Sequence, residues 1–422
     1  MNGDHSLPAD FRGIIEECVH RAMDEDVEGV PEWERFRVVS DDVGIFLYLL
    51  ARGTKRKHVV ELDGTGGAGS SVVWLSSAMQ AVDGTVTAWE SNPRRWVKLQ
   101  NSLSRARLSP SVELRTLDPL FRESDEGPVI APPVTDTAEL NGLRELETFD
   151  CDMAVVSLTE QDWPDRISYA WDILGTNGLI VLIDTLQVGD YAETILGDFL
   201  GTRDAVAIGI RMGEGLVIAL KLSDTCDIDE IPETAMVGEK AHGVLKDLER
   251  RNSKPESKLW AIPPITGTFL WMLVSAMGAR DVLEIGASSG YSGIWIASAL
   301  RKTGGRLTTM DIDPEKVRMA GESYKKAGVD DLVTILEGDA REIVPTIDRQ
   351  FDLIFLDSDK EAYYDLIEPV LWRIMRGGLL IADNVISHRD ELGAYLDEVK
   401  RHANLMSVTV PVGSGEEMTM VL

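Results

Sequence analysis

The sequence predicts an α/β protein built of two tandem doubly wound, Rossmann-like units, and three observations predict it. Short apolar runs, as in strands buried on both faces, alternate with stretches of helical periodicity. The clearest such run, Asp281 to Ile285, passes through a turn of small residues, Gly286 to Gly290, into a helix with an apolar face from Tyr291. Much of the first half recurs in the second at a nearly fixed offset, the signature of an internal repeat.

Taken in order, Phe11 to Met23 reads as a helix and Asp24 to Glu34 as an acidic loop. Gly44-Ile-Phe-Leu-Tyr-Leu-Leu50 reads as a helix and His58-Val-Val-Glu61-Leu as a strand. They return as Gly267-Thr-Phe-Leu-Trp-Met-Leu273 and Asp281-Val-Leu-Glu284-Ile, each 223 residues on. The offset becomes 221 at Trp74/Trp295, Gly84/Gly305, Glu90/Asp311 and Asp118/Asp339, then 200 at Asp152/Asp352 and Gly178/Gly378. The lost residues fall in Arg122 to Glu147, an acidic, proline-bearing stretch that reads as an inserted loop. Gly215 to Leu222 closes the first unit as a strand. Ser223 to Glu233 is polar and acidic, so the domains are expected at 1–222 and 237–422, with 223–236 as linker. Each unit should hold a mostly parallel sheet with helices on both faces.

Composition bounds the partners. The chain has 422 residues, 71 acidic against 42 basic, for a formal net charge of −29. That excludes duplex DNA, RNA backbone or an anionic membrane as the main partner, since each needs a basic surface. Three scattered cysteines, Cys18, Cys151 and Cys226, make neither a disulfide framework nor a zinc site. No uncharged apolar run reaches spanning length, and the first residues carry no signal-peptide pattern, so a cytoplasmic setting is expected.

The second unit carries the chemistry. A strand, a glycine turn and a helix start let backbone N–H groups approach a ligand closely. Asp311, ending the next strand 27 residues after Glu284, is placed to accept from ribose hydroxyls, with Ile312 beside it. Asp339, in Gly338-Asp339-Ala340, could accept from an adenine amino group. The turn lacks both Gly-x-Gly-x-x-Gly and a Walker lysine, so an adenosine with a non-phosphate tail fits better than a dinucleotide: S-adenosylmethionine. Asp357, Asp383 and Asn384 end two further strands and form an oxygen-only set suited to Mg²⁺ or Ca²⁺.

Residues 237–422 resemble the metal-dependent class I O-methyltransferases, the group of catechol and caffeoyl-CoA O-methyltransferases. The matching text is Glu284-x-Gly286-x-x-x-Gly290-Tyr291-Ser292, Asp311, Gly338-Asp339-Ala340, Phe355-Leu-Asp357-Ser-Asp-Lys360 and Ala382-Asp383-Asn384-Val385. The resemblance implies class I methyltransferase folds, a methyl transfer to a hydroxyl of a small, catechol-like molecule, and S-adenosylmethionine as cofactor. It implies metal ligation by Asp357, Asp383 and Asn384, and a general base at Lys360. It implies cofactor contacts at Ile262, Glu284, Gly286, Ser288, Ser292, Asp311, Ile312, Asp339, Ala340 and Asp357, with the Ser292 hydroxyl on the methionine carboxylate. Trp260, Tyr363 and Tyr364 are candidates to wall an aromatic substrate; His388 reads as a loop residue. Small bacterial members pair as homodimers, so the two units are expected to form a pseudo-dimer within the chain. The alternatives are a methyltransferase of nitrogen or of a macromolecule, and a non-catalytic S-adenosylmethionine-binding scaffold.

The first unit departs where the chemistry lies. Asp63 takes the place of Gly286, Ser157 that of Asp357, and Leu158 to Trp163 contains no lysine. Asp184 answers to Asn384 or Asp383. Glu90 and Asp118 persist, which leaves nucleoside binding open there while excluding catalysis.

Overall fold

Val282, Leu283 and Ile285 are all 1 % exposed or less, because helices cover both faces of the strand they form. The same holds for the other central strands in this computed structural model. It describes residues 38–62, 70–90, 93–115, 151–158, 163–189, 191–202, 204–222, 232–254 and 259–422. The helix expected at Phe11–Met23, the turn with Asp63, Asp118 and the insertion Arg122–Glu147 lie outside these residues. Two units result, Met1–Leu222 and Ser223–Leu422. Of the stretch expected as linker, Pro232–Val237 is helical. The Met236 carbonyl accepts from Trp271 Nε1 at 3.1 Å within the second unit, because Met236 and Val237 are apolar and buried.

The first unit has strands β1 (His58–Leu62), β2 (Thr85–Trp89), β3 (Val112–Arg115), β4 (Cys151–Ser157), β5 (Leu174–Ile183), β6 (Ala205–Ile210) and β7 (Leu216–Lys221). The second has β8 (Asp281–Ile285), β9 (Arg306–Asp311), β10 (Val333–Glu337), β11 (Phe351–Leu356), β12 (Ile374–Ala382), β13 (Leu405–Val410) and β14 (Glu416–Val421). Their sheet orders are β3-β2-β1-β4-β5-β7-β6 and β10-β9-β8-β11-β12-β14-β13, the same path through seven strands. Five strands of each are parallel and the last two join antiparallel. Both units are thus doubly wound α/β sheets with the class I methyltransferase strand order. The order reverses between β8 and β11, and open α/β sheets bind ligands at the carboxyl edge of such a switch point.

Packing details recur between the units. A Cβ on Gly44 would stand 2.1 Å from the Trp74 indole, and one on Gly267 2.4 Å from that of Trp295. Glycine is therefore what lets the helix Asp41–Gly53 lie against Ser70–Ala81, and Pro264–Met277 against Tyr291–Thr303. Asp152 Oδ2 accepts from the N–H of Lys57 (2.7 Å) and His58 (3.0 Å), holding the start of β1. Asp352 does the same for Arg280 (2.8 Å) and Asp281 (3.1 Å) at β8.

A buried carboxyl sits in each central strand. Ser71 donates to Glu61 Oε1, and Ser292 to Glu284 Oε1 at 2.5 Å. Thr309, opposite Glu284 in the ladder, donates to Oε2 at 2.6 Å. Opposite Glu61 stands Ala88, and Glu61 Oε2 has no hydrogen-bond partner among the described residues. Burial raises both acids, Glu284 from 4.5 to about 7 and Glu61 from 4.5 to about 8.

Two outcomes follow. Gly267→Ala drives a methyl into an indole that is 1 % exposed and cannot swing aside. It should cost about 1–3 kcal/mol in chemical denaturation, the usual range for overpacking; unchanged stability would show a looser contact. For Glu284, a raised pKa means that the folded state prefers the neutral acid. Its contribution is complete below about 4.5 and is lost as pH rises towards about 7. The stability difference between Glu284→Gln and wild type should therefore shift in the variant's favour by on the order of 3 kcal/mol across that window. A difference independent of pH would place an ionised carboxylate in the core.

Candidate active site

A cavity of about 710 Å³ opens at the carboxyl edge of the second sheet. Backbone geometry builds its floor. Gly286, with φ of +108°, closes the turn after β8, and its N–H and that of Ala287 both donate to the Met310 carbonyl at 2.9 Å. A Cβ at Gly286 would lie 1.8 Å from the Asp357 carbonyl oxygen, so only glycine lets this turn rest on the end of β11. Asp311 Oδ2 accepts from Ser288 N at 2.8 Å and Oδ1 from Asp313 N at 3.0 Å. Each carboxylate oxygen keeps a lone pair for a ligand. Asp339 caps the short helix that follows it and pairs with Arg341 at 2.6 Å, which holds its pKa low.

The second wall carries the acids. Asp383 is 1 % exposed, and its Oδ1 accepts from Asn384 N at 2.6 Å. Asn384 adopts φ of +70°, a left-handed conformation that asparagine tolerates better than most residues. Burial raises the pKa of Asp383, and the neighbouring Asp357 raises it further. Asp357 is itself raised by burial, with Lys360 pulling the other way. Glu416, fully buried at the start of β14, accepts from Thr266 Oγ1 at 3.2 Å, and burial, with Asp383 nearby, pushes its pKa well up. Lys360 Nζ reaches Asp357 Oδ1 (3.3 Å), the Ser358 carbonyl (3.0 Å) and Tyr363 Oη (3.3 Å).

Of the residues singled out in the sequence, Ile262, Gly286, Ser288, Asp311, Ile312, Asp339, Ala340, Asp357, Lys360, Asp383 and Asn384 all line this cavity. Glu284 and Ser292 are not among its lining residues. Each is a hydrogen-bond partner of the other beneath the floor, and the same pair recurs in the first unit as Glu61 and Ser71. The expected substrate walls also divide. Trp260 lines the cavity, 70 % exposed under Lys316 Nζ, 5.5 Å from its ring centroid. Tyr363 instead turns inward, donating to the carbonyls of Leu356 (3.0 Å) and Asp383 (3.1 Å) and packing edge-on against Tyr395. Tyr364 is half exposed and does not line the cavity.

Several lining residues went unmarked in the sequence: Lys316, Arg341, Glu361, Glu391 and Ser414; His388, read there as a loop residue, lines the cavity too. His388 N donates to the Asn384 carbonyl at 2.8 Å, so a helical turn after Asn384 carries the histidine to the rim. The four-residue spacing was the available signal. Among the described residues no group of three or more His, Cys, Asp or Glu side chains could hold a metal ion. A metal here would depend on the amide oxygen of Asn384 beside the two aspartates. No helix among the described residues is long and apolar enough to cross a membrane.

In the first unit the ladder sets Ser157 opposite Ile183, where Asp357 and Asp383 follow the paired Leu356 and Ala382. Asp184 has φ of +63° and answers to Asn384; its Oδ2 accepts from Ser157 Oγ at 2.9 Å. Ser157 and Ile183 thus stand where the trio has its two aspartates, and the one acid at this edge, Asp184, stands at the asparagine's place and accepts from Ser157.

The O-methyltransferase family model matches residues 235–409, within the second unit. Catechol O-methyltransferase of Niastella koreensis is 39 % identical over 157 residues, 36 % of this chain and 69 % of the relative. Catechol O-methyltransferase of Mycobacterium tuberculosis is 33 % identical over 161 residues, 38 % of this chain and 72 % of the relative. The crystal structure of the O-methyltransferase from Bacillus cereus in complex with SAH is 26 % identical, covering 43 % of this chain and 90 % of its own, with a TM-score of 0.39. By the identity and extent of the two catechol O-methyltransferase matches, this chain belongs to the class I O-methyltransferase family.

Proposed function

We propose that the second unit transfers a methyl group from S-adenosylmethionine to a hydroxyl of a small molecule bearing adjacent oxygens, with a divalent cation bound. The observation that carries this reading is Asp357, Asp383 and Asn384 on one wall of a cavity whose other wall holds Asp311 and the Gly286 turn. The residues present fit both groups. Asp311 faces the cavity with lone pairs to spare, and the side-chain-free turn at Gly286 lines the same cavity with backbone. Two carboxyls raised by burial, Asp383 further by its neighbour Asp357, form with the amide oxygen beside them a hard donor set that a dication would favour in its ionised form. When bound, the cation would polarise the substrate oxygen as a Lewis acid and S-adenosylmethionine would supply the methyl group.

The chain's own residues do the rest. Lys360 is held at the edge through Asp357, the Ser358 carbonyl and Tyr363, and as the neutral amine it receives the proton of the hydroxyl being methylated. Tyr363 fixes both the lysine and the Asp383 backbone, so base and donor set move together. The rim favours a catechol over a polyanionic thioester. Of the cavity's basic side chains, Lys316 lies over Trp260, Arg341 pairs with Asp339 and Lys360 is bound as described. The exposed Glu361 and Glu391 line the same cavity without a side-chain partner among the described residues.

We read the two units as copies of one ancestral unit, supported by the shared strand order and the matching Gly–Trp, Glu–Ser and aspartate contacts. The first copy, with Ser157, Ile183 and Asp184 at the edge, is then a structural remnant without catalysis.

Incubating the whole chain with catechol, other vicinal diols and caffeoyl-CoA, with and without Mg²⁺, tests the reading. Catechol methylation that stops in excess chelator is expected; full turnover without metal would remove the cation from the mechanism. Asp383→Ala should abolish both the Mg²⁺ response and Mn²⁺ binding followed by electron paramagnetic resonance. Lys360→Met should lower kcat by roughly 10²–10⁴-fold, the usual contribution of a general acid–base group. Wild-type kcat from pH 6 to 9 in that variant would make Lys360 a bystander.

A further inference from the structure

The first unit retains an acid, Glu90, at the position that Asp311 holds in the second. The ladders agree on this: Leu62 pairs with Trp89 just as Ile285 pairs with Met310, and the acid follows in each. Its surroundings differ. Asp311 faces the cavity and accepts from two backbone N–H groups, at 2.8 and 3.0 Å. Glu90 is gripped by Arg95, with Nε on Oε2 and Nη2 on Oε1, both at 3.0 Å. This is the fork geometry in which a guanidinium meets both oxygens of a carboxylate. The pair is sealed, the arginine side chain 2 % exposed and the glutamate 0 %.

The arginine has a counterpart too. Arg95 stands 221 residues before Lys316, the same offset that relates Glu90 to Asp311. In the second unit Lys316 lies out over Trp260 at the cavity wall and leaves Asp311 alone. In the first, a longer acid and a forked base have closed on each other. Ribose hydroxyls could reach Glu90 only by displacing the guanidinium. That would leave a buried cation unpaired, and two neutral hydrogen bonds do not offset such a loss.

We infer that the first unit takes no nucleoside because its own Arg95 occupies the acceptor, Glu90, that a ribose would need. The first unit is a self-filled site, complete without ligand, and the chain binds a single S-adenosylmethionine. This rests on the reading of the second unit as the cofactor site, and the test separates the two.

Calorimetric titration of the full chain with S-adenosylhomocysteine should give one site. Asp311→Ala should remove that site entirely, because no second one stands behind it. Two equal sites in the wild type, or one site that survives Asp311→Ala, would overturn the inference and leave the second-unit reading intact in the first case. No binding at all would instead overturn the cofactor reading on which it rests. Should Asp311→Ala fail to fold, photo-crosslinking of wild type with an azido-adenosyl analogue decides the matter: label confined to peptides within 237–422 supports the inference, and label in peptides flanking Glu90 defeats it.

Discussion

The missing side chain of Gly286 is the constraint on which the second unit's active edge depends. With no Cβ, the turn after β8 settles directly on the carbonyl of Asp357, the residue that ends β11. The same turn is tied sideways to β9 through the Met310 carbonyl. Three strand ends are thereby drawn together, and each delivers a different part of the chemistry. β8 brings the turn, β9 brings Asp311, and β11 brings Asp357 with Lys360 close behind. Any larger residue would wedge β8 from β11 and separate the wall that holds Asp311 from the acidic one. A cofactor methyl and a substrate oxygen must meet within van der Waals reach, so the close contact at Gly286 is a condition of proximity.

The acidic wall is costly to fold. Asp357, Asp383 and Glu416 are drawn out of water near one another, and burial raises all three. Neutralisation by proton or by cation relieves the repulsion, so the fold without ligand holds a set of acids that favours a positive partner. Stability is given up where function needs charge, as is common at active sites. The remainder of the unit compensates with an apolar core in which β11, β12 and the helices Ala362–Leu371 and Gly393–Arg401 interlock.

Much of this was legible in the sequence, and what was not has physical causes. The mostly parallel sheets followed from alternating patterns, and the placing of Asp311, Asp357, Asp383 and Asn384 followed from their positions at strand ends. Their roles are local: a residue just after a buried strand can only be at the edge. Side-chain direction is not local. Tyr363 and Tyr364 are neighbours on a helix, and only packing against Tyr395 decides that the first turns into the core. Ser292 opens a helix beside the cofactor turn, which suggested a ligand contact. The decisive fact is Glu284 beneath it, eight residues back and one layer down. His388 and Ser414 reach the cavity by a turn and a hairpin tip, and Glu391 follows His388 by one further turn. Loop paths of this kind leave little periodic trace.

Two sheets of identical strand order in one polypeptide also raise a problem during synthesis. A strand emerging late from the ribosome can in principle add to the wrong sheet, since each position has a double elsewhere in the chain, and such exchanges are a characteristic failure of repeated domains. Backbone hydrogen bonding does not discriminate between the two. Side chains must, and the central ladder shows how. Thr309 lies opposite Glu284 and satisfies it, whereas Ala88 lies opposite Glu61. Were β2 to pair with β8, Glu284 would lose the Thr309 hydroxyl in the interior. The difference between the two ladders at this position therefore also favours the pairing of β8 with its own neighbour.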